Sequence, residues 1–171
     1  WAYDTAAWLV SFGLWSRWRQ DALAYLIPGE ILETGFGTGS LLIEMVQSGL
    51  NVIGIEPSWN MQGVTGKKLA RKNVSVSRVC GMIQALPFVS DAFSNVLSTF
   101  PTSYIAAPKT LTELRRILNP AGRWVILGLG LRFKSPIKQF LAGWLLGDGE
   151  GAFVKDFLEL TVQAGFRSVL V

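Results

Sequence analysis

No histidine occurs among the 171 residues of this chain, and that absence removes much chemistry at once. A His-ligated zinc site, a Ser–His–Asp triad and a histidine general base are all unavailable, and no metal site is expected. Cysteine is almost missing too. Cys80 alone excludes an internal disulfide and fits a reducing compartment. With no basic, apolar, small-residue signal pattern at the start, the expectation is a cytoplasmic protein. Charge is sparse, at 16% of residues against 50% apolar, which argues for a globular or membrane-surface protein over a disordered one. No apolar run approaches the roughly 18–20 residues that span a bilayer. Because the first residue is Trp1 rather than Met, the chain is expected to be the ordered part of something longer.

Positive charge exceeds negative by four, but it is scattered: Lys67, Lys68, Arg71 and Lys72, then Arg115 and Arg116, then Arg132, Lys134 and Lys138. Scatter of this kind reads as solvated helix faces, so no nucleic-acid partner is expected.

What is present is an alternation of strands and helices. Apolar and β-branched runs predict strands at Ile31–Glu33, Asn51–Ile55, Val74–Val79, Asn95–Thr99, Arg123–Leu127 and Arg167–Leu170. Helices are predicted over Ser40–Gln47, closed by Gly49, over about Ser58–Arg71, over 110–118 and near 153–163. In the third of these, Thr110 and Glu113 have capping-box spacing. Strands separated by helices argue for an α/β fold, a doubly wound parallel sheet covered on both faces.

One turn stands out. In "EILETGFGTGSLL" three glycines, Gly35, Gly37 and Gly39, lie between strand one and helix one. Bare backbone there lets a ligand touch the main chain and permits positive φ, and amides at the helix start face it. A dinucleotide fingerprint would need a glycine at position 40, which is Ser40. Glu56 ends strand two, 21 residues after Gly35, where a carboxylate takes both hydroxyls of a ribose. Dinucleotide and other nucleoside ligands use such an acid alike, so Glu56 argues for a nucleoside without naming it.

The segments "ILETGFGTGSLL", "VIGIEPSWNM", "GMIQALPFVSDAFSNVLSTFP" and "TLTELRRILNPAGRWVILG" resemble, in order and spacing, the motifs of class I S-adenosylmethionine-dependent methyltransferases. The third and fourth look most like the branch called methyltransferase type 11. The opening "YDTAAWLVSFGLWSRWRQ" is similar to the start of ubiquinone/menaquinone biosynthesis C-methyltransferases. The resemblance covers about residues 3–130 and implies a Rossmann-like sheet of order 3-2-1-4-5-6. The family's seventh strand is missing from the count. It implies S-adenosylmethionine as cofactor, with Glu33, Gly35, Gly37 and Gly39 around its amino-acid end and Glu56 on the ribose. Pro57, Met61, Met82 and Ile83 are then expected near adenine, and Thr99 at the end of strand four beside the cofactor. Two departures stand out: Gly81-Met82 replaces the family's usual Gly-Asp, and Ser94 replaces the Asp of Phe-Asp-x-Val. The first removes a hydrogen bond to the adenine amine.

The expected organisation is a single domain, 1–171: an aromatic helical cap over 1–28, a cofactor-binding core over 29–130 and a lid over 131–151. Methyl transfer is an in-line displacement that needs an aligned nucleophile and a dry site. With no histidine, the candidates for removing a phenolic proton are Tyr104, Asp4 or a water, and Tyr104 follows strand four where the methyl should emerge. Trp1, Tyr3, Trp8, Phe12, Trp15 and Trp18 crowd the N-terminus. They read as a helix packed over the site, or also as the lining of an entrance for an apolar, isoprenoid or lipid-like small-molecule acceptor. "FKSPIKQFLAGWLL" suits an interfacial lid making a peripheral membrane contact, or a buried helix. Two other readings stay open: an NAD(P)-dependent oxidoreductase, and a non-catalytic S-adenosylmethionine-binding protein.

Overall fold

The computed structural model describes residues 15–128 and 150–167. The expected lid over 131–151 and last strand Arg167–Leu170 fall almost wholly outside the described residues, as do Asp4 and the aromatics before Trp15. The described elements run α1 (Trp15–Leu23), β1 (Ile31–Thr34), α2 (Ser40–Gln47), β2 (Val52–Ile55), α3 (Trp59–Lys72), β3 (Ser77–Val79), β4 (Phe93–Thr99) and a short 3-10 turn (Ser103–Ala106). Then come α4 (Pro108–Ile117), β5 (Leu118–Leu127) and α5 (Glu150–Gln163). Five parallel strands pair in the order β3-β2-β1-β4-β5.

Parallel strands in such a sheet are covered on both faces, and β1 is buried at all four positions, its polar Glu33 and Thr34 included. Its successive side chains go to opposite sides. Ile31 joins Leu41, Leu42, Met45, Val52 and Ala22, beneath α1 and α2. Leu32 joins Ile55, Val96, Leu114 and Ile117, beneath α4. The sheet is therefore covered on both faces.

Ser58 caps α3, its hydroxyl accepting the Met61 amide at 3.3 Å, and Asn73 closes the helix in a left-handed conformation at φ 51°. The expected capping box on α4 does not form. The helix starts at Pro108, two residues early, because proline fits the first turn where an amide has no partner. Thr110 thus lies inside the helix and donates to the Tyr104 carbonyl at 2.8 Å. β5 also begins earlier than Arg123. Leu118 pairs with Phe93 straight after the helix, and the register then jumps so that Arg123 faces Asn95, leaving "NPAG" in an irregularity.

Candidate functional site

The ladder between β1 and β2 ends where the Gly35 amide donates to the Ile55 carbonyl at 2.7 Å. From there the chain turns through three left-handed glycines, Gly35 (φ 67°), Gly37 (φ 53°) and Gly39 (φ 71°). Their surroundings differ. A Cβ on Gly39 would lie 2.3 Å from the Thr65 side chain, so this glycine lets α3 close on the turn. One on Gly35 would come 3.2 Å from the Tyr104 hydroxyl. On Gly37 it would meet nothing nearer than the Gly35 carbonyl at 4.0 Å. Two glycines serve the protein's own packing; the third borders open space.

Glu56 is buried at the end of β2 and ties the turn down. Its Oε2 accepts the Gly37 amide at 3.0 Å, and its Oε1 accepts the Ser58 amide at 2.9 Å. The Thr65 hydroxyl donates to the Gly37 carbonyl at 2.9 Å. Each carboxylate oxygen keeps lone-pair capacity for a further donor besides the amide it holds. Gln62 supports this corner, its amide donating to the carbonyls of Glu56 (3.0 Å) and Val79 (2.9 Å), and Arg78 in turn donates to Gln62. Thr65 and Gln62 were not picked out from the sequence. The available signal was polar residues on the inward face of α3.

Glu33 is fully buried on β1, opposite Gly54 and Leu97. Pro57 is exposed and Met61 partly buried beside Glu56, while Met82 is 59% exposed after β3. The Ile83 side chain packs into the core with Leu32 and Ile55. Thr99 ends β4 opposite Leu127. Tyr104, on the 3-10 turn, is brought to Gly35 across the β1–β4 boundary.

Behind this edge lies a buried polar relay. The Thr34 and Ser98 hydroxyls are 2.6 Å apart, and the Trp124 indole donates to Ser98 at 3.1 Å. On the other flank, the segment after Ile83 is clamped to α4. The Glu113 carboxylate accepts the Leu86 amide at 2.7 Å, and Arg116 donates to the carbonyls of Leu86 and Phe88 while pairing with Glu113 at 2.8 Å. The Arg116 hydrogen bond, helped by the Leu86 amide, holds the Glu113 carboxyl below its ordinary pKa against the opposing effect of burial.

Phe100, directly after β4, has φ 48°. A left-handed backbone costs an L-residue roughly 1–2 kcal/mol. Its amide donates to the Leu127 carbonyl at 2.7 Å, and its ring lies against Gly128, where a Cβ would come within 2.4 Å of it.

A groove of about 490 Å³ opens between α2 and α3, lined by Ser40, Glu44, Lys68 and Arg71 among others. None of the residues expected at the cofactor lines it. The candidate site is instead the carboxyl edge of β1, β2 and β4, where parallel sheets of this kind bind ligands.

A family model described as a methyltransferase domain matches residues 31–122. The chain is 31% identical over 152 residues to a demethylmenaquinone methyltransferase of Symbiobacterium thermophilum, covering 83% of this chain and 61% of that protein. It is 30% identical over 139 residues to a ubiquinone/menaquinone biosynthesis C-methyltransferase of Geobacter sulfurreducens, covering 73% and 52%. The chain thus spans less than two thirds of either relative's length. A solved S-adenosylmethionine-dependent methyltransferase of Thermotoga maritima superposes with a TM-score of 0.68 at 22% identity, covering 98% of this chain and 78% of that one.

Proposed function

Since the chain belongs to the class I S-adenosylmethionine-dependent methyltransferase family, we propose that it transfers a methyl group to a small apolar acceptor, a quinol or phenol. The observation that carries the reading is the pairing of Gly37, open on one side, with the buried Glu56 carboxylate that accepts its amide. A thin backbone beside a carboxylate with spare acceptor capacity suits an amino-acid and ribose ligand. S-adenosylmethionine, the family's cofactor, supplies a methyl group already activated on a sulfonium.

In this reading Gly37 lets the amino-acid end approach the main chain, on a turn whose shape Gly35 and Gly39 make possible, with Glu33 beneath. Glu56 holds the ribose, Pro57 and Met61 flank adenine, and Met82 with the Ile83 backbone closes that side in place of an acid. Thr99 lines the cofactor at the end of β4. Tyr104 takes the catalytic place: its hydroxyl is next to Gly35, and there it can take the acceptor's proton as a phenolate, or receive it while passing its own proton to water. The quinol or phenol class is supported by the names of both relatives. The single Cys80 supports a reducing compartment. An isoprenoid tail on the acceptor would bring the protein to a membrane surface.

Calorimetry with S-adenosylhomocysteine against NADH tests the cofactor, and anaerobic turnover of a quinol panel tests the acceptor. Binding of NADH but not S-adenosylhomocysteine overturns the reading. Cofactor binding without turnover of any quinol or phenol leaves the non-catalytic alternative standing in its place.

A further inference from the structure

We infer that Trp124, Ser98 and Thr34 form a one-way hydrogen-bond chain that holds the root of the glycine turn, and that Trp124 and Ser98 are positioning residues for the cofactor bound there. The inference rests on the methyltransferase reading and adds to it the buried side chains that keep the cofactor turn in shape.

The direction of the chain follows from its ends. An indole N–H only donates, so Trp124 Nε1, 3.1 Å from Ser98 Oγ, gives its hydrogen to that hydroxyl. A carbonyl only accepts, and the Thr34 hydroxyl donates to that of Leu97 at 3.4 Å. The hydrogen between Ser98 and Thr34, whose oxygens are 2.6 Å apart, therefore belongs to Ser98. Every donor in the chain is used once. Thr34 and Ser98 are 1% and 0% exposed, which leaves neither hydroxyl a route to solvent. A buried network whose members are all satisfied rigidifies what surrounds it.

Its place is the floor of the candidate site. Thr34 pairs with Ser98 in the last rung of the β1–β4 ladder. Beyond that rung the two chains part: the Gly35 amide turns to the Ile55 carbonyl of β2, and the Phe100 amide to the Leu127 carbonyl of β5. A parting of this kind at the carboxyl edge makes the crevice in which such sheets bind ligands. Two residues back on the same face, Leu32 and Val96 are apolar and pack in the core. An apolar pair at the last rung would bury with no hydroxyl to desolvate, so packing alone does not call for Thr34 and Ser98.

The turn above needs such a root. Glycine has the least restrained backbone of any residue, and a ligand that must first order a loose loop binds more weakly. Glu56 and Thr65 tie Gly37 from the β2 side. The Ser98–Thr34 bond ties the residue before Gly35 from the β4 side. Trp124 carries that tie outward, its ring centroid 5.7 Å from that of Phe157 on α5 and 5.3 Å from that of Phe166. Tyr104 packs in the same cluster as Trp124 and Phe157, so the aromatic end of the chain also backs the residue whose hydroxyl lies against Gly35.

The test compares wild type with Ser98→Ala, Thr34→Val, Trp124→Phe and the double variant Ser98→Ala/Trp124→Phe. Thr34→Val keeps the shape of the side chain should another variant unfold. Amide hydrogen exchange is read first without ligand, at Gly35 and at Leu32 in mid-strand, and S-adenosylhomocysteine is then titrated by calorimetry. The expectation is Gly35 exchange faster by about tenfold with Leu32 within about twofold, and S-adenosylhomocysteine affinity lower by about three- to tenfold. A chain already cut at Ser98 has nothing more to lose at Trp124, so the double variant should match Ser98→Ala in both readings. Effects that multiply instead overturn the chain, as does Gly35 exchange that is unchanged or rises in step with Leu32. Faster Gly35 exchange with unchanged affinity overturns the positioning role. Failure of wild type to bind S-adenosylhomocysteine removes the methyltransferase reading and the positioning role with it, while Gly35 exchange, read without ligand, still decides whether the chain holds the turn.

Discussion

The Glu56 carboxylate accepts the Gly37 amide at 3.0 Å across the gap between β2 and the turn that leaves β1. One side chain thus shapes the turn and offers the polar surface above it. Glu56→Ala should weaken S-adenosylhomocysteine binding by about 1–3 kcal/mol, a factor of roughly 5–150, from lost charge-assisted hydrogen bonds. Glu56→Gln retains one acceptor oxygen and should fall between. Isothermal titration of both variants checks the order; equal affinity in all three proteins removes the ribose role.

Gly37 and Gly39 should fail in different ways. A branched side chain at Gly37 enters open space, so Gly37→Val should abolish cofactor binding, with only the cost of its left-handed φ in stability. At Gly39 the new atoms collide with Thr65, so Gly39→Val should lower the unfolding midpoint steeply. Thermal melts beside cofactor titrations separate the two.

Much of this arrangement was legible in local pattern. α2 lies at Ser40–Gln47 as its apolar spacing predicts, and the parallel sheet follows from the alternation of runs. The spacing of Gly35 and Glu56 already places two strand ends side by side. What was not legible depended on distant partners. Glu113 has capping-box spacing from Thr110, yet it turns away to the Leu86 amide, 27 residues upstream. β5 starts at Leu118 because Phe93 pairs with it, which no property of "NPAG" announces. Three identical glycines gave no hint that two pack against Thr65 and Tyr104. The strain at Phe100 was equally silent, because phenylalanine is an ordinary strand residue.

Asn95 is buried in β4 and holds the segment after α1. Its Oδ1 accepts the Ile27 amide at 2.9 Å, and its Nδ2 donates to the Ile27 carbonyl at 2.7 Å. Asn95→Ala leaves both backbone groups without that partner and should cost about 1–3 kcal/mol. Hydrogen exchange at Ile27 should rise well before that of the Leu32 amide in β1. Uniform loss of protection would mean that Asn95 supports the whole sheet rather than this one attachment.

The clamp between Glu113 and Arg116 gives stability a dependence on pH whose sign is fixed. Folding holds the Glu113 carboxyl below its ordinary value of 4.5, through the Arg116 hydrogen bond first and then the Leu86 amide. The folded state therefore binds fewer protons than the unfolded chain, and the clamp's contribution is fully present above pH 4.5. It is lost as pH falls through the folded-state pKa, because a protonated Glu113 no longer pairs with Arg116. Glu113→Gln should lower the urea midpoint at neutral pH, by about 1–3 kcal/mol if the Leu86 amide is left poorly partnered. Its gap from wild type should close progressively below pH 4.5. Leu86 sits in the same core cluster as Ile83, so loosening this segment should also weaken S-adenosylhomocysteine binding, and Arg116→Met, which removes the largest cause of the lowered Glu113 pKa, should do the same while shrinking the pH dependence. A gap that stays constant from neutral pH to acid would place the stabilisation in packing around Leu86 rather than in the ion pair.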